Sequence, residues 1–319
     1  MKILIIGHEL HSHTHSYIFN GIYRSLKYLN YDVEWIYNDE QLNKIKNENL
    51  IYNIIITELY YNKNIPIIKN CKYIIQQPFL ELFKDSEYIY FNEKNIYITD
   101  EFMYELFKTI PKKNIIIWRP YLKLFTNIFF DVIEENEYKV IISPWATDLL
   151  PYEIDENIKN LESFEIKNIS NFIGMPLQHN GDLKDTLKKY NIDYECHGGT
   201  FNKNSERNKS IEENMKLIQE SIIAPALQSQ WQKNNHYIPC RIFKNISYGK
   251  MGITNNETVY NLFNKKIIYS DNIEELVDKS LEFNKREDKF LIIKELMINV
   301  RDNHTYVNRI NFILNLILN

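Results

Sequence analysis

The sequence predicts two doubly wound, Rossmann-like α/β domains facing a central cleft. In the first third, short apolar runs alternate with longer amphipathic ones, as in βα units around a parallel sheet. The alternation breaks over residues 119–150 and then resumes, so a second domain of the same class follows an interdomain crossing. The 319 residues, 44% hydrophobic and 25% charged, can bury two cores of ordinary domain size, which excludes intrinsic disorder as the main state. The boundaries fall at 1–140, 141–302 and 303–319, the last being a closing C-terminal helix.

Residues 2–6 read as a buried strand, and 16–29 as a helix with Ile18, Ile22, Leu26 and Leu29 on one face. A second strand covers 33–37, and further buried strands are expected at 53–57, 73–76, 88–91, 96–99 and 114–118, with helices between some of them. The crossing is marked by Arg-Pro-Tyr-Leu, a Phe-rich stretch and Ser-Pro-Trp-Ala-Thr-Asp-Leu-Leu-Pro. Beyond it, strands are expected at 171–174 and 193–196, the latter ending in Gly198-Gly199. Helices follow at 181–190, 210–220, 241–248, 258–263, 273–284, 289–299 and 303–318.

The charge balance is 38 basic against 42 acidic residues, a net of −4, with no dominant Lys/Arg block. This predicts no nucleic-acid partner and no anionic-membrane surface. Cys71, Cys196 and Cys240 are too few and too scattered for a disulfide framework or a zinc cage, which fits a reducing, cytoplasmic compartment. No apolar run approaches the roughly 18 residues of a transmembrane segment.

Four of the eight histidines stand in His8-Glu9-Leu10-His11-Ser12-His13-Thr14-His15, between the first strand and the first helix. In a parallel α/β domain that loop lies at the carboxyl edge of the sheet, where ligands bind. A neutral imidazole there can take a proton from an attacking hydroxyl, since its pKa lies near working pH. Glu9 would orient a histidine or act as the base itself. The same residues are also compatible with a metal site of no standard zinc spacing, or with a polar loop in which Ser12 or Thr14 caps the helix.

The second feature runs from Tyr237 to Asn256 and places Arg241, Lys244, two glycines and several small polar residues around a short helix and the strand after it. A helix amino terminus offers N–H groups and a positive dipole end to a diphosphate, and the two cations add charge. An ordinary amphipathic helix ending at a Gly249 C-cap accounts for the same residues.

Pro-Cys-Arg-Ile-Phe-Lys-Asn-Ile-Ser-Tyr-Gly-Lys-Met-Gly-Ile-Thr-Asn resembles the donor-binding segment of group 1 type glycosyltransferases with the GT-B fold. In that family an Arg-x-Phe-acid-x-x-x-x-Gly core precedes a strand and a small-residue loop. The Gly174 turn, the Gly198-Gly199 strand end and His304-x-x-x-x-Arg309 agree with it. The layout resembles the family over nearly the whole chain, and the specific motif covers about a tenth of it. Lys244 departs from the pattern, standing where many relatives carry a Glu.

The resemblance implies transfer of a sugar from a nucleotide-diphosphate sugar to a hydroxyl of a glycan or other acceptor, with no bound metal and no cofactor beyond the donor. It implies that the C-terminal domain holds the donor through Arg241, Lys244, Ser247, Tyr248, Asn255 and Gly174. The N-terminal domain would present the acceptor to a base, His13 or His15 first, with Glu9 and His11 as alternative base or orienting partner. Glu58, Gln76, Gln77 and Pro78 sit at strand ends where acceptor contacts are plausible, although such positions are more often plain loop. Asp148 reads as a turn cap, and His304 and Arg309 as a polar face of the closing helix. The competing reading is a non-catalytic sugar-nucleotide or glycan binding protein on the same scaffold.

Overall fold

Isoleucine-rich strands build the first sheet. The structure, a computed structural model, describes residues 1–47, 51–58, 65–76, 101–120, 131–135, 137–175, 179–198 and 208–318. The expected strands at 88–91 and 96–99, the Phe-rich stretch, Gln77, Pro78 and Gly199 lie outside the described residues.

The chain forms two units. The first comprises Met1–Leu10, His15–Pro144 and Ile310–Asn319, and the second His11–Thr14 and Trp145–Arg309. Unit 1 holds β1 (Lys2–Ile6), β2 (Asp32–Ile36), β3 (Ile54–Glu58), β4 (Lys72–Gln76), β5 (Ile115–Arg119), β6 (Asp131–Glu135) and β7 (Tyr138–Ile142). They form one seven-stranded sheet in the order β2-β1-β3-β4-β5-β7-β6. All neighbours pair parallel except β6 with β7. β1, β3, β4 and β5 are almost wholly buried, as expected of a parallel sheet covered on both faces.

Helix α1 (Ser16–Tyr28) packs Ile18, Phe19, Ile22 and Leu26 inward. Its N-cap is His15, with no side-chain cap, so neither Ser12 nor Thr14 has the capping role considered for it. α2 (Asp39–Asn47) and α3 (Glu101–Thr109) are among the helices expected between strands of this domain, for which the sequence set no bounds. The β6–β7 hairpin was not expected; it falls in the stretch read as an interdomain crossing. Its edge strand, Asp-Val-Ile-Glu-Glu, carries charge at three of its five positions, which hides the strand signal while protecting the sheet edge.

Unit 2 contains α4 (Pro151–Asn160), β8 (Ile169–Ile173), α5 (His179–Lys189), β9 (Asp193–His197), α6 (Ile211–Glu220), α7 (Gln230–Asn234) and α8 (Arg241–Ser247). β10 (Ile253–Thr254), α9 (Glu257–Leu262), β11 (Ile268–Tyr269), α10 (Ile273–Asn284) and α11 (Lys289–Asn303) complete it. Its strands form two parallel pairs, β8 with β9 and β10 with β11. A connecting segment spans the gap between them. The Ile222 amide donates to the Ile169 carbonyl (2.8 Å) and the Ala226 amide to that of Ile253 (2.9 Å). Phe172, Leu187, Ile218, Leu227, Phe243, Ile246 and Val277 are core side chains of this unit.

The last helix, α12 (Tyr306–Leu318), begins in unit 2 and from Ile310 belongs to unit 1, where Lys139 Nζ donates to the Leu316 carbonyl. Among the described residues, no helix is long and apolar enough to cross a membrane.

Candidate active site

In unit 1 the strand order reverses between β1 and β3, since the chain builds β2 on one side of β1 and continues on the other. Open α/β sheets bind ligands in the crevice outside the carboxyl ends of such strands. The loop from Gly7 to His15 leaves β1 at that point, and Glu58 is the last residue of β3. Glu58 is 1% exposed. His8 Nε2 lies 2.6 Å from its Oε1 and His15 Nδ1 2.5 Å from its Oε2, so each carboxylate oxygen meets one imidazole.

Burial alone would raise the Glu58 carboxyl. The opposing charge and hydrogen bond of His15, with the hydrogen bond of His8, instead hold it well below the usual carboxylate range. Burial works against the charged form of His15 as well, yet the Glu58 charge and hydrogen bond leave its pKa raised. An ionised carboxylate only accepts, so Nδ1 of His15 carries the proton and Nε2 is the basic nitrogen of the neutral ring. This is the carboxylate–imidazole arrangement of a general base held in one tautomer. His8 and Glu58 also offer ligand atoms within 4.8 Å of each other, so the pair could contribute to a metal site.

Of the expected bases, His15 is thus joined to Glu58. Glu9 is exposed on the loop, and His11, which has a positive φ of 71°, falls with His13 in the segment grouped with unit 2. Sequence reasoning undervalued Glu58, treating it as a strand-end contact. The signal available was a carboxylate closing an otherwise apolar, β-branched strand, Ile-Ile-Ile-Thr-Glu. Gln76 pairs with Glu58 in strand register, is 1% exposed, and has no partner for either amide atom among the described residues.

In unit 2 the corresponding carboxyl edge is organised by Arg241, the first residue of α8. Its guanidinium lies over the Phe172 ring, 3.9 Å from the centroid. Nε donates to the Ile173 carbonyl and one terminal nitrogen to that of Leu227, each at 2.9 Å. Arg241 thereby straps the end of β8 to the end of the connecting segment. Burial lowers its pKa. Gly174 follows β8 with φ +140°, and a Cβ there would stand 2.3 Å from an Arg241 terminal nitrogen. Only glycine admits both that backbone and that approach.

The remaining expected donor residues are placed as follows. Lys244 Nζ pairs with Asp148 Oδ2 at 2.6 Å, and the Tyr248 hydroxyl donates to Asp148 Oδ1 at 2.8 Å. Asp148 is 4% exposed, so it is the anion of a buried network and not merely a turn cap. Ser247 is fully buried, with its hydroxyl 2.7 Å from that of Thr147. Asn255 uses both side-chain amide atoms on the backbone of Gln228.

His304 and Arg309, expected on a polar helix face, are instead buried, at 2% and 0% exposure. Arg309 donates to the carbonyl of Asn303 and to His304 Nδ1, and burial with that neighbouring charge drives the His304 pKa well down. Burial lowers the guanidinium itself to about 9. The i, i+5 spacing looked like a surface pattern because nothing in it shows that both groups have partners on their own segment.

Residues 182–315 match the family described as Glycosyl transferase-like. The whole chain superposes on an alpha-glucosyltransferase solved with UDP and a 13-mer DNA containing a central A:G mismatch (TM-score 0.66, 12% identity, 100% of each chain). It is also similar to an alpha-glucosyltransferase solved with UDP-glucose and DNA containing an abasic site (TM-score 0.62, 10% identity, 100% of this chain and 99% of that one). A further alpha-glucosyltransferase in complex with UDP matches at TM-score 0.58 and 12% identity, again over 100% of each chain. No curated protein matches the sequence. The DNA complexes overturn the expectation of no nucleic-acid partner. A mildly acidic overall charge does not exclude nucleic acid on this fold, because binding depends on local and not net charge.

Proposed function

We propose that this chain, which has the GT-B fold of the group 1 type glycosyltransferases, transfers a hexosyl unit from a uridine diphosphate sugar to an acceptor hydroxyl. The observation that carries the reading is the Glu58–His15 pair at the switch point of the unit 1 sheet. In the proposed step the acceptor oxygen attacks the anomeric carbon while its proton passes to His15 Nε2. The bond from the anomeric carbon to the diphosphate oxygen breaks, and the electron pair leaves with UDP. Ionised Glu58 stabilises the imidazolium that forms. Unit 2 holds the donor, with Arg241 and Gly174 at the carboxyl edge where a diphosphate is bound by cation and backbone.

UDP-glucose is the first donor to test, because it is bound in one of the matched structures. Acceptor identity is open between a glycan hydroxyl and a nucleic acid, the latter favoured by the DNA present in two of those structures. We also propose a cytoplasmic location, which the three free thiols suit. The experiment is UDP release from UDP-glucose by the purified chain, with oligosaccharides and with short duplex DNA, in EDTA and again with added divalent cation. Activity in EDTA supports metal-independent transfer. Activity only with added cation points to a metal at His8 and Glu58. Donor binding without turnover on any acceptor supports the non-catalytic reading.

A further inference from the structure

Gln228 is fixed at every polar group except one. It follows Leu227, whose carbonyl is held by Arg241, so it stands just past the carboxyl end of the connecting segment. Its backbone amide donates to Asn255 Oδ1 (2.8 Å), and its carbonyl accepts from Asn255 Nδ2 (3.1 Å). Its Oε1 accepts from Asn256 Nδ2. The orientation of that last bond is dictated locally. Asn256 Oδ1 already caps α9 by accepting from the Thr258 amide (2.8 Å), so Asn256 turns its N–H2 to Gln228, which must answer with oxygen. Gln228 Nε2 is left over. The residue is 0% exposed, and Nε2 has no hydrogen-bond partner among the described residues.

A buried donor with no protein partner among the described residues is costly unless something else meets it, and each instance calls for an explanation. The usual explanation of a wrongly turned amide fails here because of the Asn256 constraint. A loose side chain fails too, because the backbone is clamped on both sides. The carbonyl of the residue before Gln228, Leu227, is held by Arg241, which lies at the strand end that suits an anion.

We propose that Gln228 Nε2 is a preset donor-recognition group, which hydrogen-bonds an anionic oxygen of the nucleoside diphosphate and is completed only when that ligand binds. This rests on the reading of unit 2 as the donor-binding unit. Asn255 and Asn256 are then positioning residues that act through Gln228, which revises the direct donor contact expected of Asn255.

The test is calorimetric titration of the full chain with UDP and with millimolar uridine, alongside melting temperatures. Gln228→Glu keeps an oxygen for Asn256 and removes the N–H donor, while Gln228→Met removes both and adds no charge. Both variants are expected to bind UDP about tenfold or more weakly, the size of one lost hydrogen bond to a charged group. Uridine binding should be unchanged. Both variants should melt lower, Met through the loss of the Asn256 bond and Glu through a buried carboxyl, so unchanged uridine binding is what separates ligand recognition from the structural effect. Folded variants that bind UDP as tightly as the parent chain overturn the proposal. Equal weakening of uridine and UDP also overturns it, by moving the contact to the base. If the parent chain binds no UDP, the donor reading itself falls, and this inference with it.

Discussion

The carboxyl edges of the two sheets differ in how they use their polar groups. In unit 1, buried Glu58 is met by two half-buried imidazoles, and its charge raises the pKa of His15, so a proton is held at this edge by a carboxylate. In unit 2, the cations and amides are tied to carbonyls, to Asp148 and to one another, and their positions are fixed by those bonds. The first edge is suited to moving a proton and the second to holding a ligand in a set geometry. Titration should therefore be felt at the first edge, and misplacement at the second.

The largest expected effect is at the titrating edge. Glu58→Gln removes the anion that orients His15 and stabilises its cation, so kcat should fall by about 10²–10⁴-fold. The donor KM should be nearly unchanged, as steady-state UDP release would show. A proportionate rise in donor KM would place Glu58 in donor binding and erase the division of labour.

At the rigid edge, Asp148→Asn strips a buried anion from Lys244 and Tyr248 and should cost about 3–5 kcal/mol in denaturant unfolding. Tenfold tighter UDP binding in the folded fraction would mean that the pair restrains a cation the donor otherwise meets. Gly174→Ala forces a side chain into φ +140° and against Arg241, and should cost about 1–3 kcal/mol with weakened UDP binding. Unchanged binding would detach the Arg241 strap from the donor.

The smallest effect is the pH dependence of stability, worked out group by group. Glu58 has a depressed pKa when folded, so its contribution is complete above about 4.5 and is lost as pH falls through the depressed value. His15 has a raised pKa, so its contribution is complete below about 6.5 and is lost as pH rises through the raised value. The melting difference between the parent chain and Glu58→Gln should thus be greatest between about pH 4.5 and 6.5 and shrink on both sides. A flat difference would mean that the pair does not share a charge.

The sequence made the elements with one dominant apolar face legible. Residues 2–6 match β1, and 273–284 match α10 at both ends, because Ile-rich strands and capped amphipathic helices announce themselves locally. The β6–β7 hairpin was missed, and α2 was given no bounds, because their charged residues obscure the period on which such reading depends. At the site, the histidine loop was visible as a cluster, but its partner Glu58 lies far along the chain. Only the parallel register of β1 with β3 makes the two neighbours. Asp148 and Lys244 are separated by still more sequence. The Lys at the position where relatives carry an acid was conspicuous, whereas its neutralisation by a distant Asp was not.

Neither unit is continuous in sequence. The seven described strands of unit 1 are complete by Ile142, yet Ile310–Asn319 belongs to the same unit, arriving through the middle of α12 after all of Trp145–Arg309. On a ribosome, where early domains usually fold first, unit 1 must wait for Ile310–Asn319 to be made before it is complete. A nascent chain stalled before residue 310 would present an unfinished first unit to chaperones and proteases, and a premature stop in the last helix would damage the unit made first.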